Sequence, residues 1–559
     1  MKKQQIVLLS AAALLLTSCS GKLGALSADN FSVNPNPLET QAGEVPATIN
    51  GLFPEKYLKK KAVVTVTPEL RYQTTAGMKS VRGEGATFQG EKVLGNDQTI
   101  SYKTGGRYTM KTNFKYQPEM QQSDLYLTFQ AKVGKKEVEV PAVKVATGII
   151  ATSELYKRTL TQAQPAIAPD AFQRVIEQKQ EANVKFLIGQ AQLRKSELQN
   201  NSVQEFVRLL TEIAKDQEGK VLNGIEVSAY ASPDGGYQLN EKLAGQRQKV
   251  TSDFLNKQMK KTKSDAPVDN KYTAEDWEGF QELVAASNIQ DKDVILRVLS
   301  MYQDPEQREE QIKAISSAFR ELADGILPQL RRARLIANYE LIGRDDEQIQ
   351  FQLSSDATQL SVEELLYAAT LYDNEPASAE NAYKKAVEIY PNDARAYNNL
   401  AVLAYQKGNY AEAKVWAEKA LKVNANQAEA NANLGLLALQ EGNLNNAEAL
   451  IAKSSSANGV NEILGNLHLA QGKYAQAEQD FGKVASNSAA LAQILNKNYA
   501  AAAQTLKQIK NGDATTEYLK AILASRQGNK SEASNALQAA FAKDASLRQY
   551  AEKDLELNK

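Results

Sequence analysis

The chain has 559 residues, with 66 Lys plus Arg against 66 Asp plus Glu, one histidine and one cysteine. That length predicts three or four domains rather than a single core, and the charge balance leaves no basic field for nucleic acid. With only His468 and Cys19 available, a Cys/His zinc site, a Ser-His-Asp triad and a Cys-His pair are excluded. No Gly-x-x-x-x-Gly-Lys-Ser/Thr loop and no Gly-x-Gly-x-x-Gly fingerprint occurs. The expectation is a binding protein with no cofactor and no metal; carboxylate-only chemistry, as in glycosidases, stays open.

The chain begins with Lys2 and Lys3, an apolar run from Ile6 to Leu16, and then Thr17-Ser18-Cys19. A basic start, a short apolar core and small residues describe a secretory signal over 1–18. The apolar core, about 11 residues, is too short to span a bilayer, which takes about 20. Small residues followed directly by cysteine resemble the lipobox of bacterial lipoproteins. The resemblance implies cleavage before Cys19, a thioether to diacylglycerol, and a membrane partner reached through that lipid. No aspartate and no acidic run follow Cys19, so the implied address is the outer membrane, facing the periplasm. Residues 19–45, rich in small and polar residues with Pro35 and Pro37, read as a tether.

Residues 46–150 are β-rich. Ala62–Pro68, Thr99–Lys103, Tyr108–Tyr116, Leu125–Phe129 and Glu137–Val140 are β-branched or alternating runs separated by turn signals, which predicts an all-β sandwich of about seven strands. Six tyrosines fall here: Tyr57, Tyr72, Tyr102, Tyr108, Tyr116 and Tyr126. They are either an aromatic binding face or, by preference, core and cross-strand packing. Residues 151–182 read as a helical linker, with Asp170 placed to cap a helix over 171–176.

Residues 183–345 alternate strand and helix. Ile225–Tyr230 alternates like a strand, Ala231-Ser232-Pro233-Asp234-Gly235-Gly236 is a turn, and Asn240-x-x-Leu243-x-x-x-Arg247 opens a helix. This pattern resembles the C-terminal domain of OmpA-family proteins. The resemblance makes Val184–Ile188 the first strand, Ser202–Lys215 the first helix, Leu330–Ala337 the last strand, and about 257–327, with Trp277, an insertion. It implies a peptidoglycan ligand, the diaminopimelate of the stem peptide, whose carboxylate an arginine forks and whose ammonium an acid accepts. Arg247 holds the arginine position. The acid position is Ser232 here, which brings no charge, and Asp234 stands two residues on. Asn240 and Arg331 complete the candidate set. For Arg247 the structural alternative is an ion pair, and for Arg331 and Arg332 it is strand-edge solubility.

The last 200 residues repeat. Leu400-Ala401, Gly408 and Ala413 recur 34 residues later as Leu434-Gly435, Gly442 and Ala447, then after a shorter step as Leu464-Gly465, Gly472 and Ala477. Weaker units carry Tyr499 and Ala502, then Gly528 and Ala533. This resembles the tetratricopeptide repeat, a helix–turn–helix whose stacked copies form a solenoid, expected over 360–559. Small residues at Ala401, Gly435 and Gly465 let paired helices approach. The glycines at 408, 442 and 472 end a helix at positive φ, and Ala413, Ala447 and Ala477 meet the next unit. His468 reads as a packing or groove-lining residue and Trp416 as inter-helix packing. The resemblance implies an unknown protein partner at the concave groove.

The predicted chain is therefore multidomain: an all-β sandwich-like domain, a central α/β OmpA-like domain with a helical insertion, and an all-α repeat solenoid. Its expected role is a non-enzymatic outer-membrane lipoprotein that tethers membrane to peptidoglycan and recruits a protein. The alternatives are a scaffold subunit of an envelope assembly or secretion complex without peptidoglycan binding, and a carboxylate-based glycan hydrolase.

Overall fold

A computed structural model describes residues 23–289, 291–314, 320–372 and 375–557. Cys19 and the expected signal sequence lie outside the described residues. The chain divides into two compact units. One joins the residues up to Pro169 with those from 374 onward; the other is the stretch between them, Asp170–Asp373.

The first unit opens with the β-rich domain. Its strands are β1 (Phe31–Asn34), β2 (Leu38–Glu39), β3 (Glu44–Phe53), β4 (Ala62–Thr74), β5 (Gly77–Arg82), β6 (Ala86–Gly90), β7 (Gln98–Ile100), β8 (Gly106–Lys115), β9 (Ser123–Val133), β10 (Lys136–Thr147) and β11 (Ile149–Ile150). One sheet runs β1-β3-β8; the larger runs β10-β9-β4-β6-β7, with β5 paired to β4. Alternation explains the layers. Along β4, Val64, Val66 and Leu70 turn inward, and along β8 Tyr108, Met110, Thr112 and Phe114 do the same. Phe53, Tyr57, Phe88 and Tyr108 stack in the core with ring centroids 4.3 to 5.9 Å apart. For Tyr57, Tyr72 and Tyr108 packing prevails over a binding face.

Two boundaries differ from the sequence reading. The tether ends early, because Leu23, Leu26, Val33 and Leu38 are buried in the β-rich core and β1 pairs with β3. The helical linker is helical only in short turns over Thr152–Gln162. Asp170 caps no helix; its carboxylate accepts from the amide of Phe172 at 2.7 Å, Ala171 takes a positive φ of 59°, and Val175–Lys185 is a strand.

That strand, β12, opens the second unit. It pairs with β15 (Arg332–Ile342), which pairs with β13 (Lys220–Tyr230), which runs parallel to β14 (Val268–Thr273). Helices Asn201–Lys215 and Tyr237–Thr262 pack on the sheet through Val203, Phe206, Leu210 and Leu255. The first strand thus starts before Val184, and Leu187 and Ile188 are exposed. The insertion begins after β14, not near 257, because 268–273 is a sheet strand. Its helices, beginning at Trp277–Ala286, hold their own small core of Phe280, Val284, Ile295, Leu299, Leu327 and Leu330. Helices Asp346–Ser355 and Val362–Thr370 belong to this unit, and Pro376–Ile389 to the other.

The repeats return the chain to the first unit. Helices Ala394–Gln406 and Tyr410–Val423 form one hairpin, Ala428–Gln440 and Leu444–Ile451 the next, and Val460–Ala470 and Tyr474–Phe481 a third. Asn487–Leu495 with Tyr499–Gln508, and Ala514–Arg526 with Lys530–Lys543, continue the array. Ala413, Ala447 and Ala477 are buried, and Gly408, Gly442 and Gly472 have φ of 77°, 74° and 72°. At Gly408 the chain reverses through bonds from its amide to the Tyr405 carbonyl and from the Asn409 amide to the Ala404 carbonyl. Among the described residues, no helix is long and apolar enough to cross a membrane.

Candidate functional site

Two places gather polar side chains that a fold alone does not need. The first lies at the C-terminal end of β13, where the strand leaves the sheet at Tyr230 and the turn 231–236 leads into helix Tyr237–Thr262. Asn240, in the first turn of that helix, donates to the carbonyls of Ser232 (3.1 Å) and Gly235 (2.7 Å) and so fixes the turn. Ser232 donates to the Asp234 carboxylate. Arg331, just before β15, donates from Nε to Ser232 Oγ at 3.2 Å and pairs through Nη2 with Asp234 at 3.0 Å.

Arg247 sits two helical turns beyond Asn240 and is 1% exposed. Its donors go to main-chain carbonyls: Nη1 to Tyr230 (2.8 Å), Nε to Gln190 (3.1 Å) and Nη2 to Leu187 (3.4 Å). The Phe186 ring lies 5.3 Å from the guanidinium carbon. Burial, helped by the charge of Arg331, pulls the guanidinium down to about 10. Neither alternative from the sequence holds here. Among the described residues Arg247 makes no ion pair; it staples three carbonyls. Arg331 and Arg332 are not solubility residues, since Arg331 holds Asp234 and Arg332 holds the buried Asp276 at 3.3 Å.

All five candidate residues therefore meet in one unit, but Ser232, Asp234 and Arg331 satisfy one another while Asn240 and Arg247 are spent on main-chain carbonyls. Asp234 is neutralised by Arg331. The insertion lies over it: Pro233 and Asp234 share a void of only about 10 Å³ with Trp277, Phe280, Glu309, Ile312, Leu322 and Leu327. A ligand-sized pocket occupies hundreds of cubic ångströms.

The second place is the concave face of the repeats, built from the first helix of each hairpin. It holds the chain's own residues 159–168. Asn399 accepts from the Ala168 amide (2.9 Å) and donates to its carbonyl (3.0 Å). Asn433 does the same for Ala166, at 2.6 and 2.7 Å, and Asn398 adds a donation to the Ala166 carbonyl at 3.0 Å. Tyr405 and Gln440 both donate to the Leu160 carbonyl, at 3.2 and 2.9 Å. Asn487 and Asp513 bond the Gln162 side chain, and Ser488 donates to Thr159. Leu160, Ala163 and Ala166 enter the same apolar cluster as Ala401, Ala432, Leu436 and Leu467. The expected groove is thus present, but its occupant is the chain itself.

These asparagines escaped the sequence reading, although a signal existed. Asn399 and Asn433 stand 34 residues apart in the middle of helices, where asparagine is a poor helix former. His468 contacts Asp480 on the paired helix. Trp416 packs against Tyr397 at 6.3 Å with Lys419 Nζ 3.9 Å over its ring.

The β-rich domain buries one carboxylate beside an arginine. Its buried carboxylate, Glu69, is raised by burial but lowered further by bonds from Ser80 and Arg71, so its net shift is downward. A general acid needs the opposite. Among the described residues no group of three or more His, Cys, Asp or Glu side chains could hold a metal ion.

Comparison with known proteins bears on the repeats. Residues 382–415 match the tetratricopeptide repeat family. The match spans the helix Ala394–Gln406 and the start of the helix that follows it. No curated protein sequence matches the chain. Among solved structures, a tetratricopeptide repeat protein from Parabacteroides merdae is 16% identical, covering 45% of this chain and 98% of that one, with a TM-score of 0.28. PilF of Pseudomonas aeruginosa is 20% identical over 38% of this chain and 97% of its own, with a TM-score of 0.27. Yeast Tom70 is 11% identical over 63% and 76%, with a TM-score of 0.24.

Proposed function

We propose that the chain is a non-enzymatic envelope scaffold, anchored in the outer membrane through acylated Cys19 and facing the periplasm. Its central domain has an OmpA-like arrangement of strand, turn and helix but serves as a structural and protein-contact module rather than a peptidoglycan clamp. The repeats supply the protein-binding role.

One observation carries the choice between tether and scaffold: the charge that would receive a diaminopimelate ammonium, Asp234, is spent on Arg331 at 3.0 Å. The Ser232 hydroxyl in the acid position brings no replacement, and Arg247 has its donors on carbonyls. A buried ligand carboxylate would have to displace those bonds, each costing on the order of 1–3 kcal/mol if left unmade. The tether reading keeps one point in its favour, the convergence of Ser232, Asp234, Asn240, Arg247 and Arg331 at the end of β13.

The anchor is tested in cells fed a labelled palmitate. The wild-type chain is expected to carry label and to fractionate with the outer membrane. Cys19→Ser is expected to lose both, since several acyl chains give stable anchoring at about 0.8 kcal/mol per buried CH₂. An unlabelled wild type overturns the anchored reading.

A further inference from the structure

At Ala166 and Ala168 the concave face of the repeats grips its occupant by the main chain, whereas Thr159 and Gln162 are held through their side chains. Asn399 and Asn433 each grip both the amide and the carbonyl of one residue, Ala168 and Ala166. That double bond is available to any residue with an extended backbone. What the face does select is size. Ala163, Ala166 and Ala168 are buried, while Gln164 and Ile167 between them point outward. Asn398, Asn399 and Asn433 are buried too and are bonded to one another as well as to the segment, through Asn433 Nδ2 to Asn398 Oδ1 (2.9 Å) and Asn398 Nδ2 to Asn399 Oδ1 (3.1 Å). Such a ladder has little to satisfy it once an extended chain leaves.

We propose that the groove of the repeats is a binding site for an extended peptide with small residues spaced as Ala163, Ala166 and Ala168, held closed by the chain's own residues 159–168 acting as a tethered competitor. This deepens the scaffold reading by naming the chemistry of the partner segment, and it depends on that reading only for the existence of a partner. The tether sets the threshold. A covalently linked segment competes at an effective concentration on the order of millimolar, so a free peptide at micromolar concentration is excluded until the segment is released. Release also has a physical handle in this chain: the segment joins the β-rich domain to Asp170, where the second unit begins, so a force or partner acting there would pull directly on it.

The test uses the full-length protein and a fluorescent peptide of sequence Leu160–Pro169. Hydrogen exchange first reports the occupant: the amides of Ala166 and Ala168 are expected to be protected in the wild type and exposed in Ala166→Arg. Fluorescence anisotropy then reports the groove. At micromolar peptide the wild type is expected to bind nothing, Ala166→Arg to bind, and Ala166→Arg with Asn433→Ala to bind at least tenfold more weakly. Should Ala166→Arg fail to fold, Asn398→Ala with Asn433→Ala releases the segment from the other side, and the same amides are read. Protection that persists in Ala166→Arg overturns the size selection. An open groove that ignores the peptide overturns the binding site, while leaving the anchor and the scaffold role untouched.

Discussion

Arg247→Ala is expected to destabilise the central domain by several kcal/mol, since each buried acceptor left without its donor costs on the order of 1–3 kcal/mol. The side chain is 1% exposed and its donors end on the carbonyls of Leu187, Gln190 and Tyr230. These carbonyls come from the loop after β12 and from the end of β13, so one guanidinium sews the sheet to its neighbouring loop. Truncation leaves three acceptors without their donor and opens a cavity beside Phe186. Arg247→Lys should recover only part of the loss, because an ammonium cannot spread over three directions as the planar fork does. Hydrogen exchange of the Ile225–Tyr230 amides in the full chain reads the effect without assuming a single unfolding transition. Unchanged protection would show that Arg247 is held for a ligand instead. One practical consequence follows: a loss of binding in Arg247→Ala would report instability rather than a lost ligand contact.

Phe481→Ala is expected to cost about 3–5 kcal/mol in the repeats, the range for emptying a core phenylalanine site. Its ring is buried against Gly465, where an added Cβ would meet three ring carbons at 2.8 Å. Gly465→Ala alone should therefore destabilise by about 1–3 kcal/mol through overpacking. In the Phe481→Ala background the obstacle is gone. There the same change should stabilise by up to about 1 kcal/mol, since alanine is the better helix former. This reversal of sign separates close helix approach from a backbone requirement. Local exchange of the Val460–Ala470 amides measures it. A Gly465→Ala effect of the same sign and size in both backgrounds would mean the glycine is not there for packing.

The repeats were legible because their constraints are local and recur. A small residue, a positive-φ glycine and a buried alanine fall at fixed offsets, so Gly442 and Gly472 confirm what Gly408 suggests. The β-rich strands that alternate, such as Tyr108–Phe114, were legible for the same reason. Other elements owe their state to distant partners. Val175–Lys185 is rich in Glu, Gln, Lys and Ala and reads as helix, yet its whole length pairs with β15, and pairing overrides weak propensity. Val268–Thr273 is an edge strand with little buried surface, so it lacks the apolar alternation that marks a strand. Residues 31–45 carry prolines and polar residues that suggest a tether, while Val33, Leu38 and Val45 enter the core. In the candidate site the residue types were readable, but their mutual neutralisation was not. No spacing rule reveals that Arg331 turns to Asp234 across 97 residues. The occupant of the groove was hidden likewise: an alanine every second or third residue has no periodic signature of its own, and its meaning lies in asparagines more than 200 residues away.

The scaffold account is tested most directly by co-sedimentation of residues 20–559 with purified sacculi, beside Asp234→Ala. With Asp234 paired to Arg331 and Arg247 committed to carbonyls, neither protein is expected to pellet above the level of an unrelated control. Pelleting of the wild type would contradict the account, and its loss in Asp234→Ala would establish the cluster at the end of β13 as a working cell-wall site.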